Sequence, residues 1–168
     1  RQYEAAIAND PDDPTARHWY AMILIAAGRL DYALEQIETA RRLDPLITAV
    51  MVVNALALNS VNQTDEAIAL VRDAASMGFR GGAADWEGMI SIMAGQSKRG
   101  AELMRQASAR ETDPERKRVM ELVADAAEEP AKIGALEEFL GQAGDFHHYS
   151  ASEYADWLAA LGSPYLFT

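Results

Sequence analysis

Three histidines are the residues of this chain best suited to acid–base or metal chemistry, and two of them are adjacent: His18, His147 and His148. Asp145, His147 and Glu153 could together hold a metal ion, but their spacing matches no known ligand pattern. Neighbouring side chains on a regular backbone point in different directions, so His147 and His148 chelate a single ion poorly. We therefore expect no bound metal, and we interpret His18 as a packing or groove residue of a helix.

Other catalytic patterns are missing from the sequence. The chain has no cysteine, which excludes disulfides, thiolate metal sites and a cysteine nucleophile. Gly78, Gly81 and Gly82 form a glycine-rich turn, but the lysine of a phosphate-binding loop does not follow them. We predict no catalytic residue and no cofactor, and we expect a protein that is not an enzyme. A metal-dependent enzyme built on residues 145–153 is the least favoured alternative.

A repeated pattern of small, aliphatic and small residues predicts the elements that position any functional side chain. It recurs 34 residues after Ala33 and 33 residues after Ala67. The three copies are Ala33, Ile37 and Ala40; Ala67, Val71 and Ala74; and Gly100, Met104 and Ala107. Other slots agree in the same register, with small residues at Ala21, Ala55 and Gly88. A period of this size indicates stacked helical hairpins rather than one globular core.

Each period describes a first helix, a short turn and a second helix. The first helix is expected to end at Gly28, Asn62 or Gly95, because these residue types accept the left-handed conformation that follows a helix. At the start of the second helix, an oxygen-bearing side chain can cap free N–H groups or favour the positive helix end. These side chains are Asp31, Asp65 and Ser97. Asp–Pro pairs mark further helix ends, at Asp10–Pro11, Asp44–Pro45 and Asp113–Pro114.

The second helices resemble the tetratricopeptide repeat (TPR). Residues 31–45 and 65–79 follow that family's order of alanine, aromatic or aliphatic residue, alanine and proline, as at Ala33, Ile37, Ala40 and Pro45. Phe79 stands in the proline slot of the next copy. The first helices depart from the family. The resemblance covers about residues 1–114 and implies an all-α, right-handed superhelical stack of antiparallel helix pairs, closed by a C-terminal capping helix.

The repeat register predicts the organisation of the whole chain. Residues 1–13 form the second half of a truncated N-terminal repeat, and residues 14–47, 48–80 and 81–114 form three TPR-like repeats. Residues 115–142 form a degenerate fourth hairpin, and residues 143–168 a loop, the capping helix and a tail. Ser150 and Glu153 give the last helix a capping box. Its apolar stripe is expected to cover the end of the stack and consists of Tyr154, Trp157, Leu158 and Leu161.

The resemblance implies that the first helices line a concave groove that binds an extended or helical peptide. The family's groove slots fall on His18, Met22 and Ile25; Val52, Leu56 and Asn59; and Asp85, Met89, Ile92 and Met93. These residues are mostly apolar, so the lysine and asparagine clamp that many TPR proteins use for a C-terminal carboxylate is absent. An apolar groove with methionines suits an amphipathic helix or an apolar peptide. In the alternative interpretation, the chain buries these residues itself, for example with the tail residues Tyr165–Phe167.

Charge and hydropathy restrict the partners. The net charge of −11 argues against a nucleic-acid surface and against attraction to anionic lipid. We predict a non-catalytic scaffold that binds a protein or peptide, with a possible homo-oligomer formed by end-to-end stacking. The alternative function is a sensory or regulatory arm of a larger bacterial-type signalling or transcription-regulating protein. No apolar run reaches the ~18 residues of a membrane span and no signal peptide is visible, so we expect a cytoplasmic protein, with a periplasmic one left open.

Overall fold

A computed structural model of the chain describes residues 2–79 and 83–142. In this part of the chain the structure consists of helices and turns, without a strand. The α-helices are α1 (Gln2–Asn9), α2 (Pro14–Ala26), α3 (Leu30–Leu43), α4 (Thr48–Ser60), α5 (Thr64–Ser76), α6 (Ala83–Met93), α7 (Ser97–Ser108), α8 (Pro114–Glu128) and α9 (Ile133–Gln142). One turn of 3₁₀ helix, Pro130–Lys132, precedes α9. Within the described ranges, no helix is both long and apolar enough to span a lipid bilayer.

The helices belong to two compact units, residues 1–81 (unit 1) and residues 82–168 (unit 2). In unit 1, α2 packs with α3 and α4 packs with α5, while α1 contacts α2 and the two first helices α2 and α4 also touch. In unit 2, α6 packs with α7, α7 with α8 and α8 with α9. The prediction of an all-α fold built from consecutive helix pairs is confirmed within each unit.

The turns inside the hairpins are alike, as the repeat register predicted. Gly28, Asn62 and Gly95 all have positive φ, at 70°, 63° and 78°. In each turn the next residue donates its backbone N–H to a carbonyl near the end of the first helix, and the acceptors are Leu24, Leu58 and Ser91. These are the hydrogen bonds of a left-handed helix terminus, which satisfy carbonyls that the ended helix leaves unpaired. The prediction of a left-handed turn at these three positions is confirmed.

The second helices begin without the side-chain caps that the sequence allowed. The N-cap positions of α3, α5 and α7 are Arg29, Gln63 and Gln96, and none of them makes a side-chain capping hydrogen bond. Asp31 and Asp65 lie two residues after the N-cap, inside the first turn, where their charge interacts favourably with the positive helix end. Ser97 is the first residue of α7. Side-chain caps occur instead at α2 and α8, where Asp13 and Asp113 accept backbone N–H groups.

The predicted close crossing of paired helices is visible in both units. In unit 1 the small residues on the two sides of each hairpin are fully buried: Ala21 and Ala33, and Ala55 and Ala67. In unit 2 the corresponding residues are Gly88 and Gly100, and a methyl group added at Gly100 would lie 2.7 Å from the carbonyl oxygen of Gly88. The aliphatic residues of the pattern, Ile37, Val71 and Met104, are at most 2% exposed. The repeated residues are therefore the contact surfaces of the hairpins.

The chain beyond the third repeat follows the sequence-based prediction up to residue 142. The predicted helix of residues 114–127 is α8, and the predicted helix of residues 130–140 is the 3₁₀ turn followed by α9. Asp113–Pro114 begins α8 rather than ending a helix, while Asp10 and Asp44 directly follow α1 and α3. The predicted capping helix, its stripe, the tail and the metal candidates Asp145, His147 and Glu153 lie outside the described residues.

Candidate partner-binding surface

The α2 helix of unit 1 carries three of the predicted groove residues, and all three are half-buried: His18, Met22 and Ile25. Met22 and Ile25 pack against a buried cluster in which α2, α3 and α4 meet, formed by Ala21, Ile37, Ala40, Val50, Val53 and Ala57. Ile23 lies next to Met22 and is 52% exposed. The α2 helix thus carries apolar side chains that its own unit covers only in part.

His18 is held in an apolar environment on the same helix. Its ring lies against that of Trp19, with 4.8 Å between the ring centroids. Its Nε2 atom is buried and has no hydrogen-bond partner among the described residues. Burial lowers the pKa of His18 below its ordinary value, because the charged imidazolium loses more by desolvation than the neutral ring. His18 is therefore neutral at physiological pH and contributes an apolar ring face to α2.

The predicted groove residues of α4 are more deeply buried than those of α2. Val52, Leu56 and Asn59 are 3%, 4% and 8% exposed. The side-chain oxygen of Asn59 accepts a hydrogen bond of 2.9 Å from the Thr64 hydroxyl, which ties the end of α4 to the start of α5. In this structure these three side chains support the hairpin, whereas α2 carries an exposed apolar side chain, Ile23.

The predicted groove residues of unit 2 lie on α6, where residues 85–92 are all buried. Met89 and Ile92 belong to the core cluster that α6 forms with α7, α8 and α9. Met93, at the end of the helix, is 37% exposed. Of the four predicted positions on α6, Met93 is thus the one whose side chain is accessible in this structure.

Asp85 is the fourth predicted position, and it is a buried carboxylate, 6% exposed. Its Oδ2 lies 3.6 Å from a guanidinium nitrogen of Arg116 at the start of α8, and Arg116 in turn makes a 2.8 Å ion pair with Glu111. Burial, only partly offset by Arg116, raises the pKa of Asp85 to about 7. Asp85 is therefore close to half-ionised at neutral pH.

Comparison with known protein families supports the interpretation of the fold. A family model described as the tetratricopeptide repeat matches residues 2–35, which span α1, α2 and the first residues of α3. Residues 2–35 are thus similar to a tetratricopeptide repeat. The helix pairs that follow continue the TPR-like pattern in the structure. No curated protein matches the chain. TPR units typically mediate contacts between proteins, which makes an accessible apolar helix face such as that of α2 the relevant feature.

The sequence analysis missed two features of the candidate surface. Ile23 was not among the predicted groove residues, although its spacing of four from Trp19 places the two large apolar side chains on one side of α2. The pairing of Asp85 with Arg116 was also missed, because 31 positions separate them and no local spacing rule connects them. Among the described residues, no group of three histidine, aspartate or glutamate side chains is arranged to hold a metal ion.

Proposed function

We propose that this chain is a non-catalytic scaffold for protein–protein interaction, and that the apolar side of α2 is a contact surface for a partner. The observation that carries this proposal is the exposure of Ile23 on a first helix, with Trp19 one turn before it and the half-buried Met22 next to it in sequence. A first helix of a TPR hairpin is the element expected to face a bound peptide. Covering large aliphatic side chains that face water lowers the free energy of the system. Their exposure at that position therefore favours the binding of a partner.

The partner that suits this surface is an amphipathic helix or an apolar peptide. Methionine at position 22 can adapt its flexible thioether to an irregular partner, while Ile23 and Trp19 offer branched and aromatic surface. The neutral ring of His18 adds no charge to the surface at physiological pH. The net charge of −11 disfavours nucleic acid as a partner. The buried groove positions then act within their own units, Val52, Leu56 and Asn59 by packing α4, and Asp85, Met89 and Ile92 by packing α6.

The proposal is tested with peptides selected against the protein from a displayed library of amphipathic helices. Ile23→Glu and Met22→Glu are expected to reduce the affinity of the selected peptides at least tenfold, because a charge is placed on the apolar contact surface. Leu46→Glu is the matched control, since Leu46 is 73% exposed in the turn between α3 and α4. Circular dichroism is used to check that all three variants keep their helical content.

The outcome that overturns this proposal is equally specific. If the selected peptides bind Ile23→Glu and Met22→Glu as tightly as the unchanged protein, the apolar side of α2 is not the contact surface. Glutamate substitutions at Met89 or Leu56 are poor tests, because these side chains are 0% and 4% exposed and a charge there would unfold the hairpin.

A further inference from the structure

The buried carboxylate of Asp85 belongs to a three-residue cluster that joins two helices of unit 2. Asp85 lies in the first turn of α6, Arg116 in the first turn of α8, and Glu111 in the turn between α7 and α8. Arg116 lies 2.8 Å from Glu111 and 3.6 Å from Asp85, so one guanidinium serves two carboxylates. The cluster is largely enclosed, because all three side chains are between 8% and 21% exposed.

The two carboxylates compete unequally for Arg116. The Oε1 atom of Glu111 accepts the backbone N–H groups of Thr112 and Asp113, at 2.7 and 2.9 Å, while its Oε2 binds Arg116. These backbone hydrogen bonds are the main cause that lowers the pKa of Glu111, followed by its attraction to Arg116. Glu111 therefore stays ionised at every pH near neutrality and continues to attract Arg116.

Asp85 has weaker compensating interactions. Backbone N–H groups of Asp85 itself and of Trp86, the latter 3.1 Å from Oδ1, offset part of the burial, and its Oδ2 lies 3.6 Å from Arg116. Desolvation is the main reason that the pKa of Asp85 rises to about 7, and the charge of Glu111 adds to the rise. Two carboxylates that share one cation thus titrate in well-separated ranges, and only Asp85 changes its charge near neutral pH.

Among the described residues of α7 and α8, other charged groups near the cluster have partners of their own or face solvent. On α8, the Asp113 carboxylate caps the helix by accepting from Glu115 and Arg116 backbone N–H groups. On α7, Arg105 is paired with Asp125 and Glu128 of α8. The remaining charged side chains of α7 are exposed to solvent: Lys98, Arg99 and Glu102. Glu87 follows Asp85 by two positions on α6, which places it on the far side of the helix.

We propose that Asp85, Arg116 and Glu111 form a proton-sensitive clasp between α6 and α8, in which the protonation of Asp85 decides which carboxylate holds Arg116. When Asp85 is neutral, Arg116 stays with Glu111, the carboxylate that it contacts at 2.8 Å, while Asp85 lies 3.6 Å away. When Asp85 loses its proton, its buried charge attracts the guanidinium away from Glu111. The start of α8 then changes its attachment to α6 without any change in the helices themselves.

The clasp is tested on the full chain by recording the carboxyl ¹³C resonances of Asp85 and the Nε–Hε resonance of Arg116 between pH 4 and pH 9. Asp85 is expected to titrate with a midpoint near 7, and the Arg116 resonance to follow the same midpoint. In Asp85→Asn the Arg116 resonance should lose this pH dependence. A midpoint for Asp85 below 5, or an Arg116 resonance that does not change with pH, overturns the proposal.

Glu111→Gln tests whether the pKa of Asp85 depends on the sharing of Arg116 as well as on burial. Glutamine keeps an oxygen for the backbone N–H groups of Thr112 and Asp113 but releases Arg116 to Asp85. The midpoint of Asp85 should therefore fall by about one pH unit. Glu102→Gln is the control, because it removes one negative charge from an exposed position of α7 away from the clasp. Equal midpoints in both glutamine variants would overturn the proposal, even if Asp85→Asn failed to fold.

Discussion

Unit 1 and unit 2 each hold, on the first helix of a hairpin, an ionisable group whose pKa is shifted by burial, and pH acts on the two in opposite directions. In unit 1 burial lowers the pKa of His18, and in unit 2 burial raises the pKa of Asp85 to about 7. In both cases the apolar surroundings favour the neutral form. Acidification therefore adds a buried charge to unit 1 and removes one from unit 2.

The two helices also differ in how much of their surface is accessible. The α2 helix leaves Ile23 half exposed and keeps Met22 and Ile25 within reach of solvent, whereas α6 has eight consecutive buried residues. The first helix of a hairpin is thus packed differently in the two units. Contact with a partner is what we propose for α2, whereas α6 packs inside its unit and carries Asp85 of the clasp.

The largest expected effect follows from the close crossing of α6 and α7. A Cβ atom at Gly100 would lie 2.7 Å from the carbonyl oxygen of Gly88 and would overlap Ile92, so Gly100→Val requires the helices to move apart. We expect the free energy of unfolding of unit 2 to fall by about 3 kcal/mol. This change in the free energy of unfolding is measured by urea unfolding, followed through the amide resonances of α6 and α7.

Gly134→Ala provides the control for that measurement. Gly134 lies in α9, where an added methyl group meets no atom within 4 Å. Alanine should stabilise α9 by roughly 0.5–1 kcal/mol, since it loses less backbone entropy than glycine on helix formation. If Gly100→Val were as well tolerated as Gly134→Ala, the close contact with Gly88 would not hold α6 in place.

The next largest effect concerns the pH dependence of Asp85. The ordinary pKa of an aspartate is 3.8, and in the folded protein that of Asp85 is about 7. Between these values the native state binds the proton that the unfolded state has lost, so stability falls as pH rises. The slope is at most ~1.4 kcal/mol per pH unit, and partial exposure to solvent reduces it. Asp85→Asn should remove this slope, as urea unfolding of unit 2 at pH 5, 6 and 7 will show.

His18 should respond to pH in the opposite sense and by a smaller amount. Because its pKa in the folded protein lies below the ordinary value of 6.5, the unfolded state binds protons first and the stability of unit 1 falls as pH drops below 6.5. His18→Phe should remove this dependence. It should also raise the free energy of unfolding at pH 7 by about 1 kcal/mol, because a buried nitrogen without a partner is removed. A variant that keeps the loss of stability in acid would contradict this account.

The helical hairpins could be predicted from the sequence because their determinants are local and repeated. The left-handed turns at Gly28, Asn62 and Gly95 depend on the residue types at those positions. The crossing residues recur with a fixed period, so the register that located Ala33 and Ala67 also located Gly100. These features need no knowledge of distant contacts.

The candidate site was less predictable because burial depends on residues far away in the sequence. Periodicity places Met22 and Met89 in equivalent slots, but Met22 is half-buried and Met89 is completely enclosed by the core of unit 2. Burial raises the pKa of Asp85, and smaller contributions come from Arg116 and Glu111, which belong to other elements. The resemblance to the TPR family identified the candidate groove positions. Packing within each unit determines which of these side chains are accessible to solvent.

The smallest expected effect compares the two helices that begin with an Asp–Pro pair. Asp13 caps α2 by accepting one backbone N–H, from Thr15 at 2.8 Å. Asp113 caps α8 by accepting two, from Glu115 at 3.0 Å and from Arg116 at 2.8 Å. Asp113→Ala should therefore lower the free energy of unfolding of unit 2 by about 1 kcal/mol, and Asp13→Ala that of unit 1 by about 0.5 kcal/mol. Urea unfolding of both variants measures the difference. Because the Asp113 cap also positions the first turn that carries Arg116, Asp113→Ala should weaken the clasp and shift the titration of Asp85, whereas Asp13→Ala should leave that titration unchanged.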